Sequence, residues 1–110
     1  MTWDPLERPY LYSHLIDTAQ VSTTGGVLHF VTINRPDVGD GALVTVYDVA
    51  TADDIAADRM VANITMDDAF YVVPVTLSYN VRLDYGLYVL FSQGMTTGDI
   101  TVAYLDHANM

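Results

Sequence analysis

Cysteine is absent from the 110-residue chain. Without it the chain forms no disulfide bond, presents no thiolate nucleophile and builds no cysteine-ligated zinc or iron–sulfur centre. A chain of this length makes one domain, which buries about two thirds of the surface that its unfolded form exposes. The sequence therefore predicts a single, modest hydrophobic core that folds without cross-links.

Basic side chains are scarce, since lysine is absent and only four arginines occur. Fourteen acidic residues, thirteen of them aspartate, leave a formal net charge of −10 at pH 7. Proteins that bind nucleic acid or an anionic membrane surface need clustered basic side chains. We expect neither of these partners, because the arginines are scattered along the chain at Arg8, Arg35, Arg59 and Arg82.

Long apolar runs are missing as well. The longest ones, at 69–73 and 87–91, fall far short of the roughly 18 residues that a membrane-spanning helix requires. The N terminus shows no basic segment followed by an apolar one, so no signal peptide is expected. Hydrophobic residues make up 51% of the sequence and charged residues 16%, which indicates a folded domain rather than an acidic disordered tail.

From residue 20 onward, runs of β-branched and aromatic residues and one long alternation of apolar and polar residues are typical of β-strands. The clearest case runs from Tyr71 to Tyr85, where every second residue is apolar or aromatic and where Tyr71, Tyr79 and Tyr85 share the expected core side. This stretch exceeds the usual strand length, so we expect a kink or a change of sheet near 78–80. Further strands are predicted at 27–35, 43–49, 61–66, 87–92 and 100–105.

Turn-forming residues occupy the connections between these strands. The segment 36–41 is short and turn-rich, so the strands on either side of it are expected to be neighbours. Residues 51–60 place apolar side chains at helical spacing behind Thr51, a candidate helix cap. Either a short helix or a long loop satisfies that segment.

Seven or eight short strands predict an all-β fold, namely an antiparallel β-sandwich of jelly-roll or immunoglobulin-like type, or a small barrel. We place this single domain at residues 19–110. Residues 1–18 differ in composition and contain Pro5 and Pro9, which predicts an extended N-terminal arm that binds a partner or folds back on the domain. The partner-binding residues predicted in the arm are Trp3, Leu6, Tyr10 and Tyr12.

The sequence contains no pattern typical of catalysis or metal binding. His14, His29 and His107 lack metal-ligand spacing, and no serine lies in a nucleophile elbow. His29 lies within an apolar strand, which favours a structural imidazole. The aspartates cluster only at 53–58 and 67–68, without EF-hand spacing, so calcium is left as an alternative there. We expect no enzyme activity, no cofactor and no metal site.

Several segments, in this order, resemble a group of small tailed-bacteriophage virion proteins. They are GVLHFVTIN at 26–34, VTVYD at 44–48, PVTLSYNVRLDYGL at 74–87 and TGDITVAY at 97–104. The similarity spans about 85 of the 110 residues, from Gln20 to Leu105, and excludes the aromatic arm. It implies a β-sandwich without enzyme activity, carried on a virus particle as a head decoration or cement protein, or as a small fibre or tail component.

We therefore predict a bacteriophage structural protein, a capsid decoration or cement protein that binds the head exterior of the virion and stabilises it. Its partners would be the major capsid protein or other virion proteins, and copies of itself in a homotrimer. The high apolar content of a small acidic domain favours such assembly. The chain would be made in the host cytoplasm and located on the capsid surface.

The alternative function is a carbohydrate-binding module, or a small fibre or tail component for host-surface attachment. Such a module would stack exposed tyrosine rings against sugars and use aspartate side chains for hydrogen bonds.

Overall fold

The computed structural model describes residues 10–37, 41–66, 74–92 and 97–107. These ranges confirm the all-β prediction, and they contain no helix long and apolar enough to cross a membrane. They form eight strands, which are β1 (Leu11–Leu15), β2 (Ala19–Ser22), β3 (Gly26–Arg35), β4 (Leu43–Tyr47), β5 (Met60–Thr65), β6 (Val75–Leu83), β7 (Leu87–Phe91) and β8 (Asp99–Asp106).

The strands form two four-stranded antiparallel sheets. Sheet A has the order β1-β8-β3-β6, and sheet B has the order β2-β7-β4-β5. Each strand of the first half pairs with a strand of the second half: β1 with β8, β2 with β7, β3 with β6 and β4 with β5. The chain therefore runs as one long hairpin, folded back between β4 and β5, whose successive pairs alternate between the two sheets.

The hydrophobic core fills the space between the sheets. Alternate residues of β3 and β7 are buried, as expected for strands with one face on a core, and β-branched residues are frequent in both sheets. Complete burial of one such aliphatic side chain contributes about 1.5–3 kcal/mol. The fully buried side chains include Leu28, Ile33, Val44, Val46, Leu87, Val89, Ile100 and Val102.

Strand β6 shows the predicted alternation, with its even-numbered residues exposed. The irregularity predicted near 78–80 is also present. The register between β3 and β6 shifts between Leu28 and Phe30, and Asn80 on β6 adopts a left-handed backbone conformation with φ of 53°. Asparagine tolerates that conformation better than most residues do. Residues 71–73, including Tyr71, lie outside the described residues.

The tyrosines of this segment differ in burial. Tyr79 is half-buried and packs against the core, as predicted. Tyr85 follows the end of β6 in a turn and is 49% exposed, so its predicted place in the core is wrong. The alternation that places Tyr79 correctly ends with the strand at Leu83.

The prediction that β3 and β4 are neighbours is also wrong, because they lie in different sheets. After β3 the backbone N–H of Asp37 donates to the Met66 carbonyl at 2.7 Å, and the Met66 N–H donates to the Ala42 carbonyl at 2.9 Å. Met66 directly follows β5, an edge strand of sheet B. The chain thus crosses between the sheets before β4 begins.

The structure also places part of the predicted arm, residues 1–18, within the sandwich. Residues 11–15 form β1, an edge strand of sheet A, in register with β8 from Leu11 opposite Tyr104 to Leu15 opposite Ile100. Five residues are too few for a two-residue period to be distinct in the sequence. The part of the predicted arm at residues 1–9 lies outside the described residues.

The segment 51–60 contains two single-turn 3₁₀ helices, Ala52–Asp54 and Ala57–Arg59, rather than an α-helix. Thr51 does cap the first of them, since its hydroxyl accepts a hydrogen bond from the Asp53 N–H at 3.4 Å. The sequence of this segment therefore predicted the Thr51 cap correctly but did not predict the type of helix.

Candidate functional site

Charged residues largely avoid the strands of this acidic chain. In the eight strands the acidic and basic residues are Arg35, Arg82, Asp99 and Asp106, and all four belong to sheet A. The four strands of sheet B contain no acidic residue, no basic residue and no histidine. Seven of the described aspartates lie in turns and connections instead: Asp17, Asp37, Asp48, Asp53, Asp54, Asp58 and Asp84.

Among the described residues, the side chains that these four strands direct outward are consequently uncharged, and we call this surface the neutral face. The strand register defines its members as Gln20, Leu43, Thr45, Tyr47, Met60, Asn63, Thr65, Tyr88 and Leu90. One row crosses all four strands, with Tyr47 and Tyr88 opposite each other in its centre. Met60 ends this row at the β5 edge and is 44% exposed, whereas both tyrosines are half-buried.

Hydrogen bonds hold side chains of the neutral face in place. The Thr45 hydroxyl donates to the Asn63 side-chain oxygen at 3.1 Å, across β4 and β5. The Gln20 amide donates to the backbone carbonyls of Ser22 at 2.8 Å and Val49 at 2.9 Å. Protein interfaces are enriched in tyrosine and methionine and depleted of charge at their centre. The neutral face has that composition.

A second surface of interest lies on the outward side of sheet A and includes Tyr12, one of the predicted partner-binding residues. The Tyr12 ring lies 6.3 Å from the Phe30 ring, measured between centroids. Ala103 is in register with both residues and is fully buried, although it points away from the core. Tyr12 remains 61% exposed. We call Tyr10, Tyr12, His29, Phe30 and Ala103 the aromatic cluster.

Tyr10 packs against His29, with 3.9 Å between the ring centroids. His29 is the extra residue where the β3 register shifts, and its Nδ1 lies 3.0 Å from the Asn80 side-chain oxygen. Within the described part of the chain, Nε2 of His29 is buried without a hydrogen-bond partner. These contacts give His29 a packing role. Trp3 and Leu6, the other two predicted partner-binding residues, lie outside the described residues.

A polar cluster adjoins the aromatic cluster on the same side of sheet A. The Asp99 carboxylate is 2.6 Å from His14 Nε2 and accepts a hydrogen bond from the Asn34 amide at 2.9 Å. The same amide donates to the Thr101 hydroxyl, also at 2.9 Å. Partial burial raises the pKa of Asp99, but the hydrogen bonds from Asn34 and His14 and the positive charge of Arg35 outweigh it. The net effect lowers the pKa below its ordinary value.

Two aspartates organise the ends of the sandwich: Asp37, which lies in the predicted turn at 36–41, and Asp48, which lies near the end of the predicted strand at 43–49. Asp48 accepts three backbone hydrogen bonds from the β6–β7 turn, from the N–H groups of Asp84 at 2.8 Å, Tyr85 at 2.8 Å and Gly86 at 3.1 Å. Asp37, only 1% exposed, accepts from the N–H groups of Thr97 at 2.8 Å and Gly98 at 2.7 Å. Their carboxylates connect distant loops, which no local pattern predicts.

The described part of the chain holds no group of three or more histidine or acidic side chains placed to bind a metal ion. Asp53, Asp54 and Asp58 are all exposed around the two 3₁₀ helices. The other aspartate cluster of the sequence, at 67–68, lies outside the described residues.

The neutral face itself was not predicted from the sequence. Its signal was present, since the predicted strands 61–66 and 87–92 contain no charged residue in a chain of net charge −10. Recognising the face required the knowledge that these strands share a sheet with β4 and β2. No family model, no curated protein and no solved structure matches the chain.

Proposed function

We propose that the chain is a jelly-roll domain that decorates the capsid of a tailed bacteriophage. The strand order supports the jelly-roll alternative. A jelly roll has eight strands arranged as two Greek keys. Its strand pairs are nested, with the first strand next to the last, as they are in this chain. An immunoglobulin-like sandwich instead places its first, second, fifth and fourth strands in one sheet. Jelly rolls are found in viral capsid proteins and in lectins.

The observation that carries the proposal is a pair of outward patches, one on each side of an acidic sandwich, whose own members include no acidic residue. The neutral face covers sheet B, and the aromatic cluster lies on sheet A. A protein that strengthens a particle must contact at least two neighbours at once. Two such surfaces on opposite sides of one thin domain satisfy that requirement.

The mechanism is mechanical. A decoration protein that spans neighbouring capsid subunits adds buried surface, which must be exposed again before the subunits separate. Specific protein interfaces bury about 1,200–2,000 Å² in total. Contacts of that size on both sides of the domain raise the resistance of the capsid to internal pressure.

The acidic turns have a complementary part in the proposal. Seven of the described aspartates lie in turns and connections between the strands. Like charges there keep densely arranged copies from aggregating, although salt screens the repulsion beyond about 10 Å. The acidic turns and the uncharged patches on the two sheets together direct association to those patches.

The experiment that tests the proposal locates the chain in virions of the phage that encodes it. Mass spectrometry of gradient-purified particles should detect the chain as a stoichiometric component, and immunogold labelling should mark the heads. Label on tails or fibres only would contradict capsid decoration and support the attachment alternative. Absence of the chain from purified particles would overturn a virion role altogether.

A carbohydrate-binding function is the second candidate, and the polar cluster favours it. The exposed ring of Tyr12 adjoins the hydrogen-bonding groups of His14, Asp99 and Asn34 on one surface. Sugars bind to proteins through aromatic stacking combined with such groups.

A glycan array with the Tyr12→Ala variant tests this candidate. Sugar binding that is lost in Tyr12→Ala supports it. The matched control is Tyr85→Ala, because Tyr85 is 49% exposed but has the Arg59 guanidinium 3.8 Å above its ring. Equal loss in both variants, or no reproducible binding by the wild type, contradicts it.

A further inference from the structure

We infer that the neutral face is the surface through which copies of this chain bind one another. The inference rests on the proposed function, since it names the partner of one of the two surfaces described there. It assigns the neutral face to self-association and leaves the aromatic cluster for the particle.

The electrostatic argument starts from the charge of −10 that every copy carries. Two copies repel unless their contact excludes the acidic side chains, because like charges placed against each other across an interface cost several kcal/mol. Sheet B offers a contact four strands wide with no charged side chain in any strand. The neutral face thus has the charge pattern that a like-charged partner requires.

Other described surfaces are less suitable for self-contact. The outward side of sheet A carries Arg82 and the His14–Asp99 pair. The β4–β5 connection carries Asp53, Asp54 and Asp58, all exposed. A basic partner would select these acidic regions rather than an uncharged sheet. The neutral face is therefore best matched to a second copy.

The chemistry of the face also suits a contact between copies of the chain. Tyr47 and Tyr88 lie side by side in the central row, with Met60 at one end and Gln20 at the other. Tyrosine rings pair with one another, and tyrosine hydroxyls and amides both donate and accept hydrogen bonds. In the proposed homotrimer, each copy turns its neutral face toward the three-fold axis.

The test places acidic side chains on the neutral face without disturbing its core. In the variant Asn63→Asp/Thr65→Asp, both positions are exposed on the edge strand β5. The new carboxylate at 63 still accepts the Thr45 hydrogen bond. The control Ser78→Asp/Asn80→Asp adds the same charge at exposed positions of the other sheet, on β6. Both double variants change the formal charge from −10 to −12, that is −10 − 2.

Light scattering on a sizing column then gives the mass of each full-length protein at low salt. We expect three chains for the wild type and the control, and one chain for Asn63→Asp/Thr65→Asp. Its dissociation constant should rise on the order of tenfold or more. Circular dichroism confirms that each variant is folded. Mixing it with Asn63→Lys/Thr65→Lys should restore a larger species, because opposite charges then meet.

Each remaining outcome decides a separate question. A wild type that is a single chain at every concentration, or equal dissociation of both double variants, overturns the inference. A two-chain species that dissociates only in Asn63→Asp/Thr65→Asp supports the face and overturns the trimer. Absence of the chain from virions contradicts the proposed function but leaves this measurement unaffected.

Discussion

Asp48 shows how much a single carboxylate contributes to the architecture at the residue scale. It follows β4 in sheet B and accepts the three N–H groups of the turn that leads from β6 in sheet A to β7 in sheet B. Hydrogen bonds to charged groups contribute about 1.5–3 kcal/mol, more than neutral ones, and one of these donors belongs to the buried residue Gly86. The β6–β7 turn therefore depends on one side chain far away in the sequence.

We predict that Asp48→Asn lowers the free energy of unfolding on the order of 1–3 kcal/mol. The amide keeps one oxygen but directs an NH₂ group at a backbone N–H, so at least one donor loses its acceptor. Urea unfolding followed by circular dichroism measures the change. Asp54→Asn, at an exposed position of the first 3₁₀ helix, is the control and should change stability by less than about 0.5 kcal/mol. Similar losses in both variants would contradict the role of Asp48.

The polar cluster predicts a dependence of stability on pH. Because the folded-state pKa of Asp99 lies below its ordinary value, the ionised carboxylate stabilises the folded chain. That contribution is complete above the unfolded pKa of about 3.9 and disappears as the pH falls through the folded pKa. The partner side chain, His14, is largely exposed, so the effect stays below about 1 kcal/mol.

The measurement for Asp99 compares the free energies of unfolding of wild type and Asp99→Asn between about pH 2 and pH 6. At the upper end of this pH range the wild type should be more stable than Asp99→Asn. The difference in the free energy of unfolding between the two proteins should shrink toward zero at the lower end of the range. A difference that does not vary with pH would show that Asp99 does not act through its charge.

At the scale of the elements, the close approach of β3 to β8 requires glycine at the start of β3. A Cβ atom on Gly26 would lie 1.9 Å from the Leu105 carbonyl oxygen, a backbone atom that has no freedom to move aside. Gly26 also has φ of +143°, a conformation that L-residues rarely adopt. Both the clash and the conformation exclude a side chain.

We predict that Gly26→Ala destabilises the fold by more than about 3 kcal/mol or prevents folding. Gly41→Ala separates the two causes, since Gly41 has φ of +74° but a Cβ atom added there would meet no atom of the described residues within 4 Å. It should cost only the backbone strain, about 1–2 kcal/mol. Thermal unfolding of both variants checks this, and equal losses would show that the clash at Gly26 is unimportant.

The sequence predicts the elements better than their partners, for a physical reason. Alternation in β6 reports which side of a strand is buried, and turn residues report where a strand ends. Neither reports which strand lies alongside. The expected pairing of β3 with β4 was therefore wrong, and β1 was assigned to the arm.

The candidate surfaces were predictable to a similar degree. Tyr12 was identified from composition, and the structure places it on an outward surface. The neutral face was missed because its members come from four strands that are separated along the chain. Asp37 falls in a predicted turn and Asp48 in a predicted strand, and their long-range hydrogen bonds emerge only after folding.

At the scale of the whole molecule, the fold keeps most of the described acidic side chains out of the two proposed contact surfaces. The sandwich measures 48 × 32 × 18 Å, and its two outward sides present uncharged or aromatic side chains at the neutral face and the aromatic cluster. Most of the described aspartates lie in the turns and loops that connect the strands. Such a thin domain is suited to lie between copies of itself on one side and a larger particle on the other.

The measurement that tests this account most directly is the rebinding of the purified chain to virions that lack it. The account predicts saturable binding to the heads and a higher temperature of DNA release for the decorated particles. It also predicts weaker binding for Tyr12→Ala, whose substitution leaves the neutral face intact. No binding to such heads, or full binding with an unchanged release temperature, would contradict it.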